Sequence, residues 1–590
     1  MSNIDQLLYV SPPSRRSLFQ AYRIYRDRIE IDSRLALRTL CIAVADLVHV
    51  DVRRPPVIGD TFRGHTLRAS LALKLDFADF FEHVAIETRA PFLRYLRITP
   101  DHPDAFVSAL RALMPPIVDS QPATAMPRRR AVDLDPGEAC RVTLCDGQTI
   151  DVELIDVAER EDSIVGAVRD ADVRVRVNGR EVLLGCGNYH LPTTVNAVRL
   201  DCPITSGYRT RTNFDRWGLF KRARLRLWPA DTEIEPPERF VLPLNAAWLS
   251  STTQSGNEPV FVDGGDRPGQ VRTYYHDGHD MGGVEGDTEI VAAVAGRLIS
   301  YAGRAESGID PQAHVPRADR LAIRDDYGWL HIYSHLKEIA DLEPGQEIAQ
   351  GQHLGTLGKQ GSSGGWSHLH YLLKAIQPSG AWGTEDAYAY LWAAWRHQHD
   401  PALVAVARPH QLARVGDVVV LDSTRSWSRS GKHEATWILS DGSQDTGTAT
   451  EIIYTRAGVY SEVLRLRDAD GHEDYDFAVV HVLDTAPAGN LPPTLHAAFH
   501  PTENLRVDQP VTFVVRSFRS LPGEETWDFG DGSPTVRVTS DANRNPHAAD
   551  GYARVSHHYA APGHYVACVT HTAPNGLTAT MRLHIEIGTG

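Results

Sequence analysis

Several features that would settle a protein class are missing from this chain. No two of its six cysteines, Cys41, Cys140, Cys145, Cys186, Cys202 and Cys568, form a CxxC pair, which weighs against a thiolate zinc site. Four of them fall between 140 and 202, where one or two disulfides are possible in an oxidising compartment, with no pairing legible. No run approaches the roughly 18 consecutive apolar residues of a membrane-crossing helix, so a soluble chain without a transmembrane segment is expected. The start, MSNIDQLLYVSPPSRRSLF, lacks the basic stretch and apolar core of a secretory signal. HExxH, the helix-borne zinc signature, does not occur. The acidic spacing of RDADGHEDYD departs from an EF-hand loop, so a hairpin turn is expected there. Basic residues are outnumbered: 60 Lys and Arg against 75 Asp and Glu leave a net charge of −15, which opposes nucleic acid as a partner.

What is present points to a multidomain, mainly β protein. A length of 590 residues exceeds what one hydrophobic core supports. Residues 1–116 mix strand-like alternation (RTLCIAVADLVHVDV, HVAIETRAPFLRYLRI) with a helical pattern at HPDAFVSALRALM that stops at Pro115 and Pro116. The segment from 117 to 138 is proline-rich and polar, the composition of a linker, with Arg128 to Arg130 as linker charge. Residues 139–242 carry short alternating runs broken by DG and NG turns, an antiparallel β-domain. Within it, KRARLRLW sets Arg222, Arg224 and Arg226 against Ala223, Leu225 and Leu227, as on a strand with one solvated face.

The tail is a tandem repeat. Trp437 and Trp527 stand 90 residues apart, and each copy has a Tyr-x5-Tyr pair, Tyr454 to Tyr460 and Tyr559 to Tyr565, before an alternating strand. Each reads as a small β-sandwich with a core tryptophan, over 404–485 and 494–588. The second copy is longer between Trp and Tyr by 15 residues around DANRNPHAADGYA, a loop expected to be exposed. DTAPAGNLPPT is the linker between them. WDFGDGS with HYAAPGHY resembles the PKD domain, an immunoglobulin-like module that spaces or binds; WILSDGS of the first copy is a weaker match.

Residues 260–400 hold the chemistry. In GGWSHLHYLLKA, His368 and His370 are two residues apart in an apolar run, so on a strand both project to the same face. In YYHDGHDMGG, His276 and Asp280 are four apart, with Gly278, Gly282 and Gly283 letting the backbone turn tightly around them. A catalytic zinc commonly takes three His or carboxylate ligands and keeps a position open. His276, Asp280 and one of His368 or His370 supply that set. WLHIYSHL adds His335, and PGQEIAQGQHLGTLGKQGSSGG is a glycine-punctuated strand-turn-strand leading into the His pair.

The order H-x-G-x-D, Y-x-H-L, G-x-x-I-x-x-G-Q-x-L-G-x-x-G and H-x-H resembles the lysostaphin and LytM-type zinc metallopeptidases, over about residues 274–392. The resemblance implies an antiparallel β-fold, zinc as cofactor, peptidoglycan or another glycine-containing peptide as substrate, and a cell-envelope location. It makes His276, Asp280 and His370 the metal ligands and His335 and His368 the unligated catalytic histidines. One of these two imidazoles relays the water proton and the other serves the oxyanion, with the order open. His279, His314, His331 and His353 match no functional position and are expected as surface or packing residues. The sequence also departs from the pattern: the connection YAGRAESGIDPQAHVPRADR is long, and Trp366 replaces a small residue or proline. Trp366 and Tyr333 are the candidate substrate contacts. Degenerate relatives that only bind or activate, and peptidases of soluble proteins, are the competing classes; all five His and Asp positions favour an enzyme.

Overall fold

The computed structural model describes residues 7–33, 38–53, 73–74, 81–88, 95–111, 113, 124–210, 216–259, 274–310, 313–484 and 491–588. Two compact units divide the chain, residues 1–121 and 122–590. The architecture is nearly all β, 48% strand and 5% helix, as the alternating pattern predicts.

In the first unit, Leu7–Ser11, Ala21–Tyr25, Arg28–Ser33 and Arg38–Ala43 make a four-stranded meander. A second sheet contains Leu47–Arg53, His83–Thr88, Tyr95–Ile98 and Leu73–Lys74. The predicted helix spans Pro103–Arg111 and buries Phe106, Val107 and Leu110 against the isoleucines and valines of the strands.

The second unit begins earlier than the linker reading allows. Arg130–Leu134 is a strand, hydrogen-bonded antiparallel to Ala223–Pro229, so this part of the proline-rich segment is sheet. Arg129 is not linker charge either: it is buried and forks onto Glu385, Nε to Oε1 at 3.0 Å and Nη2 to Oε2 at 2.8 Å. The expectation of a solvated arginine face on Ala223–Pro229 is also overturned. Arg224 and Arg226 are 1% and 0% exposed, because the strand lies inside its sheet and carboxylates come to it. Arg224 pairs with Asp133 at 2.7 Å, and Arg226 pairs with Asp201 at 2.5 Å and Glu385 at 2.9 Å. All six cysteines are free; Cys186 and Cys202 are buried neighbours across a β-bridge.

The C-terminal sandwiches share their construction. Trp437 and Trp527 are fully buried at the centres of two separate cores. The ring pairs Tyr454–Tyr460 and Tyr559–Tyr565 have centroids 4.3 and 4.4 Å apart. The second tyrosine of each donates to a carbonyl four residues upstream, Tyr460 to Arg456 and Tyr565 to Ala561, both at 2.8 Å. A parallel contact of Gly458 and Val459 with Thr578 and Ala579 joins the two copies; residues 485–490 of the linker between them lie outside the described residues. The 468–472 stretch is a hairpin turn, as expected, with Asp468 Oδ1 accepting the N–H groups of Asp470 and His472. The long loop of the second copy exposes Arg544 to His547 at its tip, but its base is docked. Asn543 Nδ2 donates to Gly364 O at 2.9 Å, beside the His pair.

Among the described residues nine strands build the central sheet: the two-residue strands Arg304–Ala305 and Glu347–Ile348, both paired to Gly296–Tyr301, and seven others, β1 (Thr253–Gln254), β2 (His279–Gly282), β3 (Gly296–Tyr301), β4 (Arg320–Arg324), β5 (Leu330–Ser334), β6 (His368–Ile376) and β7 (Trp382–Glu385). Their order is β1-β2-β6-β5-β4-β3, with β7 paired to the far end of β6. One face carries the core residues Leu321, Tyr333 and Tyr371. The other face carries His370 and Lys374 on β6 and Ser334 on β5, because side chains alternate along each strand. Residues 274–310 and 313–400 of the predicted catalytic region are described here, and 260–273 lie outside the described residues. Among the described residues no helix is long and apolar enough to cross a membrane.

Candidate active site

Register brings the predicted residues together. Asp280 on β2 is the cross-strand partner of His370 on β6, which is in turn opposite Ser334 on β5. His276 enters from the loop before β2, where Gly278 lets the chain pass close to β6: a Cβ there would sit 2.8 Å from Tyr371 O and 2.9 Å from His370 Cε1. His276 Nε2 lies 3.0 Å from Asp280 Oδ1 and 3.0 Å from His370 Nδ1, and His370 Nδ1 lies 2.8 Å from Asp280 Oδ1. All three residues are buried.

These contacts test whether a metal fits. His276 Nδ1 faces the carbonyl of Ser255 at 3.3 Å and so holds the proton of the neutral ring, leaving the Nε2 lone pair aimed at a carboxylate oxygen and a second imidazole nitrogen. One proton can serve one of these contacts; a cation serves all three. Ligand atoms 2.8 to 3.0 Å apart are compatible with one ion at about 2.0–2.2 Å from each, and two imidazoles with one carboxylate are a zinc donor set. Burial alone would raise the Asp280 carboxyl, but the three imidazoles around it hold it well below the usual carboxylate range, so the ligand is ready as an anion.

His335 and His368 flank this centre. Their ring centroids are 4.7 Å apart, and His335 lies 5.9 Å from the ring of His370. His335 has the uncommon φ of +71°, held by its surroundings. Its Nδ1 is 2.7 Å from Gln360 O and 3.3 Å from Asp319 Oδ2. That nitrogen therefore carries the proton, and Nε2 is a bare acceptor. Asp319 is a partner that sequence reading passed over; burial opposes its ionisation, yet His335 and Arg317 keep its carboxyl well below the usual range. His368 Nδ1 faces Trp366 O at 3.1 Å, which gives the same tautomer. Burial, with the neighbouring His335 and His370, holds His368 well below the usual histidine range despite Asp280.

The two candidate substrate contacts fare differently. Tyr333 is not at the site: it is fully buried on the opposite face, and its hydroxyl accepts the Ala293 N–H at 2.8 Å. Alternation along β5 explains this, since the neighbouring Ser334 is the residue opposite His370. Trp366 is 2% exposed and stacks on His368, centroids 3.8 Å apart and planes 15° apart. Its other neighbours belong to the second sandwich, Phe518 and His496. That module also grips the loop before the His pair, a contact without a sequence signal. Arg516 Nη1 donates to Gly365 O at 2.5 Å, and the Ser367 N–H donates to Tyr552 Oη at 2.8 Å. Of the remaining histidines, His279 packs among Tyr189, Trp248 and Tyr388, and His331 bonds the Tyr371 hydroxyl at 2.6 Å. His353 is exposed.

A strand-built His, Asp, His centre flanked by two further imidazoles defines a peptidase-type site, and comparison supplies the family. Residues 274–379 match Peptidase family M23, and residues 399–482 match the PKD domain; the latter falls on the first copy, the weaker of the two by motif. The chain thus carries an M23 peptidase domain followed by PKD-type modules. Among solved structures it is similar to a LytM protein from Ruminococcus gnavus, at 21% identity over 21% of this chain and 47% of that one, TM-score 0.16. It is also similar to the catalytic domain of the prophage-encoded M23 protein EnpA from Enterococcus faecalis, at 22% identity over 22% and 85%, TM-score 0.16. An M23 protein from Pseudomonas aeruginosa is 15% identical over 45% and 92%, TM-score 0.17. No curated protein matches the chain.

Proposed function

We propose that the chain is a zinc-dependent endopeptidase that hydrolyses peptide bonds of peptidoglycan, in cross-bridges or stem peptides. The observation that carries this reading is the convergence of His276 Nε2, Asp280 Oδ1 and His370 Nδ1 within 3.0 Å of one another, with the imidazoles of His335 and His368 beside them. A zinc ion held by those three atoms would supply Lewis acidity toward a water and the scissile carbonyl.

The protein's own groups divide the proton work. His335 Nε2 accepts the proton of the attacking water, and the imidazolium that results is stabilised by Asp319, whose Oδ2 is 3.3 Å from Nδ1. Once protonated, the same Nε2–H is a donor, first to the oxyanion and then to the leaving amine. His368 presents its Nε2 as a second acceptor that orients the water, with its ring held flat against Trp366. Burial of the whole group keeps bulk water from competing with these bonds.

The test is hydrolysis of purified peptidoglycan and of a pentaglycine peptide by the full chain, with zinc, with chelator, and with His368→Ala. Cleavage of at least one substrate by the zinc-loaded protein, lost in the other two arms, is expected. Equal activity in all arms, or none in the zinc-loaded wild type, sinks the proposal.

A further inference from the structure

Five buried arginines are paired with carboxylates. Arg129, Arg224, Arg226, Arg408 and Arg516 each reach one within 3.1 Å. Arg320 is built differently. Its Nε donates to Ser334 Oγ at 2.9 Å, and among the described residues no carboxylate stands at ion-pair distance and no group bonds Nη1 or Nη2. A guanidinium fork with two open N–H edges is the geometry that binds a carboxylate bidentately.

The fork lies where a substrate would lie. Arg320 is the cross-strand partner of Ser334, Ser334 of His370 and His370 of Asp280. These four side chains form one row on one face, with Arg320 about 10 Å from His370 at the backbone and its guanidinium drawn back over Ser334. Lys374 is on the same face of β6, four residues from His370. The long connection between β3 and β4 folds over this face: its Ala313 shares a buried cluster with Ala322, Ile332 and Leu372. The next residue, His314, is buried, and among the described residues neither ring nitrogen has a partner.

Charges of both signs meet here, with Asp277, Asp310 and Asp319 among the acidic ones. Asp277 is held by Arg216 at 2.7 Å, and Asp319 by Arg317 at 3.0 Å. Burial, with the Arg317 charge, pulls Arg320 down to about 10, and burial pulls Lys374 down to about 8, with Arg216 and Arg320 adding to the effect. Burial, with the Arg320 and Lys374 charges, pushes His314 down to about 3, so it is neutral.

We propose that Arg320, with His314 beside it, forms a subsite for a carboxylate of the peptide substrate, on a side chain or at a chain end near the scissile bond. The subsite makes the enzyme select acidic peptides over neutral glycine ones. This rests on reading the site as a peptidase, so its test reads binding as well as cleavage.

The experiment titrates the intact zinc-loaded protein with three glycine-rich peptides, scored by calorimetry and then by hydrolysis. One carries Glu and an amidated end, one carries Gln and an amidated end, and one carries Gln and a free carboxyl end. At least one carboxylate peptide is expected to bind about 10- to 100-fold tighter than the neutral one, and which one does so identifies the source. Arg320→Gln brings the ratio to about one, and Arg320→Lys, a point charge without the fork, restores part of it; circular dichroism of both variants checks the fold. Equal affinity of all three peptides for the wild type, or a ratio that survives in Arg320→Gln, overturns the subsite. So does an equal loss for all three peptides in Arg320→Gln, which would place the arginine in the reaction itself. Selective binding without hydrolysis of any peptide overturns the peptidase reading and leaves the subsite standing.

Discussion

Glu385→Gln is the substitution that most directly tests how this protein is held together. Glu385, at the end of β7, receives Arg129 through two bonds of 3.0 and 2.8 Å, Arg226 Nη1 at 2.9 Å and the Tyr390 hydroxyl at 3.0 Å. Its side chain is 1% exposed and that of Arg226 is 0%. The glutamine leaves Arg129 without its charged bidentate partner and Arg226 with Asp201 and the more distant Asp386. Breaking a buried pair by removing one partner costs about 3–5 kcal/mol. An exposed pair is worth at most about 1 kcal/mol, and Arg141–Asp151, with side chains 71% and 62% exposed, is the internal control. Guanidinium unfolding followed by circular dichroism gives the midpoint shift, and with an unchanged m-value that shift reports stability. The pH dependence follows from the same site. Burial opposes the Glu385 charge, but Arg129 and Arg226 overcome it and bring its carboxyl down to about 2. A folded-state value below the unfolded one means that the stabilisation is full above the ordinary glutamate range near 4.5. It is lost as pH falls from there through about 2. A Glu385→Gln variant no less stable than Arg141→Ala, or a wild type and variant with parallel acid unfolding between those pH values, would refute the reasoning.

Three further outcomes follow. His370→Ala leaves two ligands, so zinc binding measured by inductively coupled plasma spectrometry after dialysis falls at least about 10-fold; unchanged stoichiometry and retention would remove the centre. Tyr552→Phe removes the acceptor for the Ser367 N–H. A buried N–H without a partner costs about 1–3 kcal/mol, and exchange of that amide is expected to accelerate at least tenfold; unchanged protection counts against the contact. At Gly365, with φ of +91°, an added Cβ would sit 2.0 Å from Asn543 Oδ1. Gly365→Ala therefore displaces the docked loop and lowers kcat, while Gly380→Ala, where φ is also positive (+78°) but a Cβ would meet nothing within 4 Å, spares it.

Legibility from sequence followed the range of the interactions. The His and Asp positions were readable because strand alternation and glycine spacing are local, and His368 and His370 had to share a face wherever β6 went. Tyr333 went wrong by a single residue of the same alternation: the site needed the partner of His370 across the ladder, which is Ser334. Arg129, Arg224 and Arg226 were read as solvated because charged residues are rarely buried; their partners are distant carboxylates, Asp133 for Arg224 and Glu385 for Arg129 and Arg226, up to 256 residues away in sequence. Asp319 gave no signal for a related reason. Its role depends on the long β3–β4 connection returning beside His335, and no periodicity records where a connection returns.

The same reasoning decides what the second PKD-type module does. A spacer would meet the catalytic domain through its linker alone. Here Arg516, Asn543 and Tyr552 bind the backbone of the segment from Gly364 to Ser367, whose next residue is His368. Bonds to backbone fix where a segment runs whatever its side chains are, and the conformation of a glycine-rich segment is set by what holds it. Trp366 completes the device, since its ring is pressed between His368 and the module. The tryptophan at this position packs against the module behind it. The aromatic thus links the neighbouring module to the ring of His368, and Asn543, in the longer loop of the second repeat, reaches the Gly364 carbonyl.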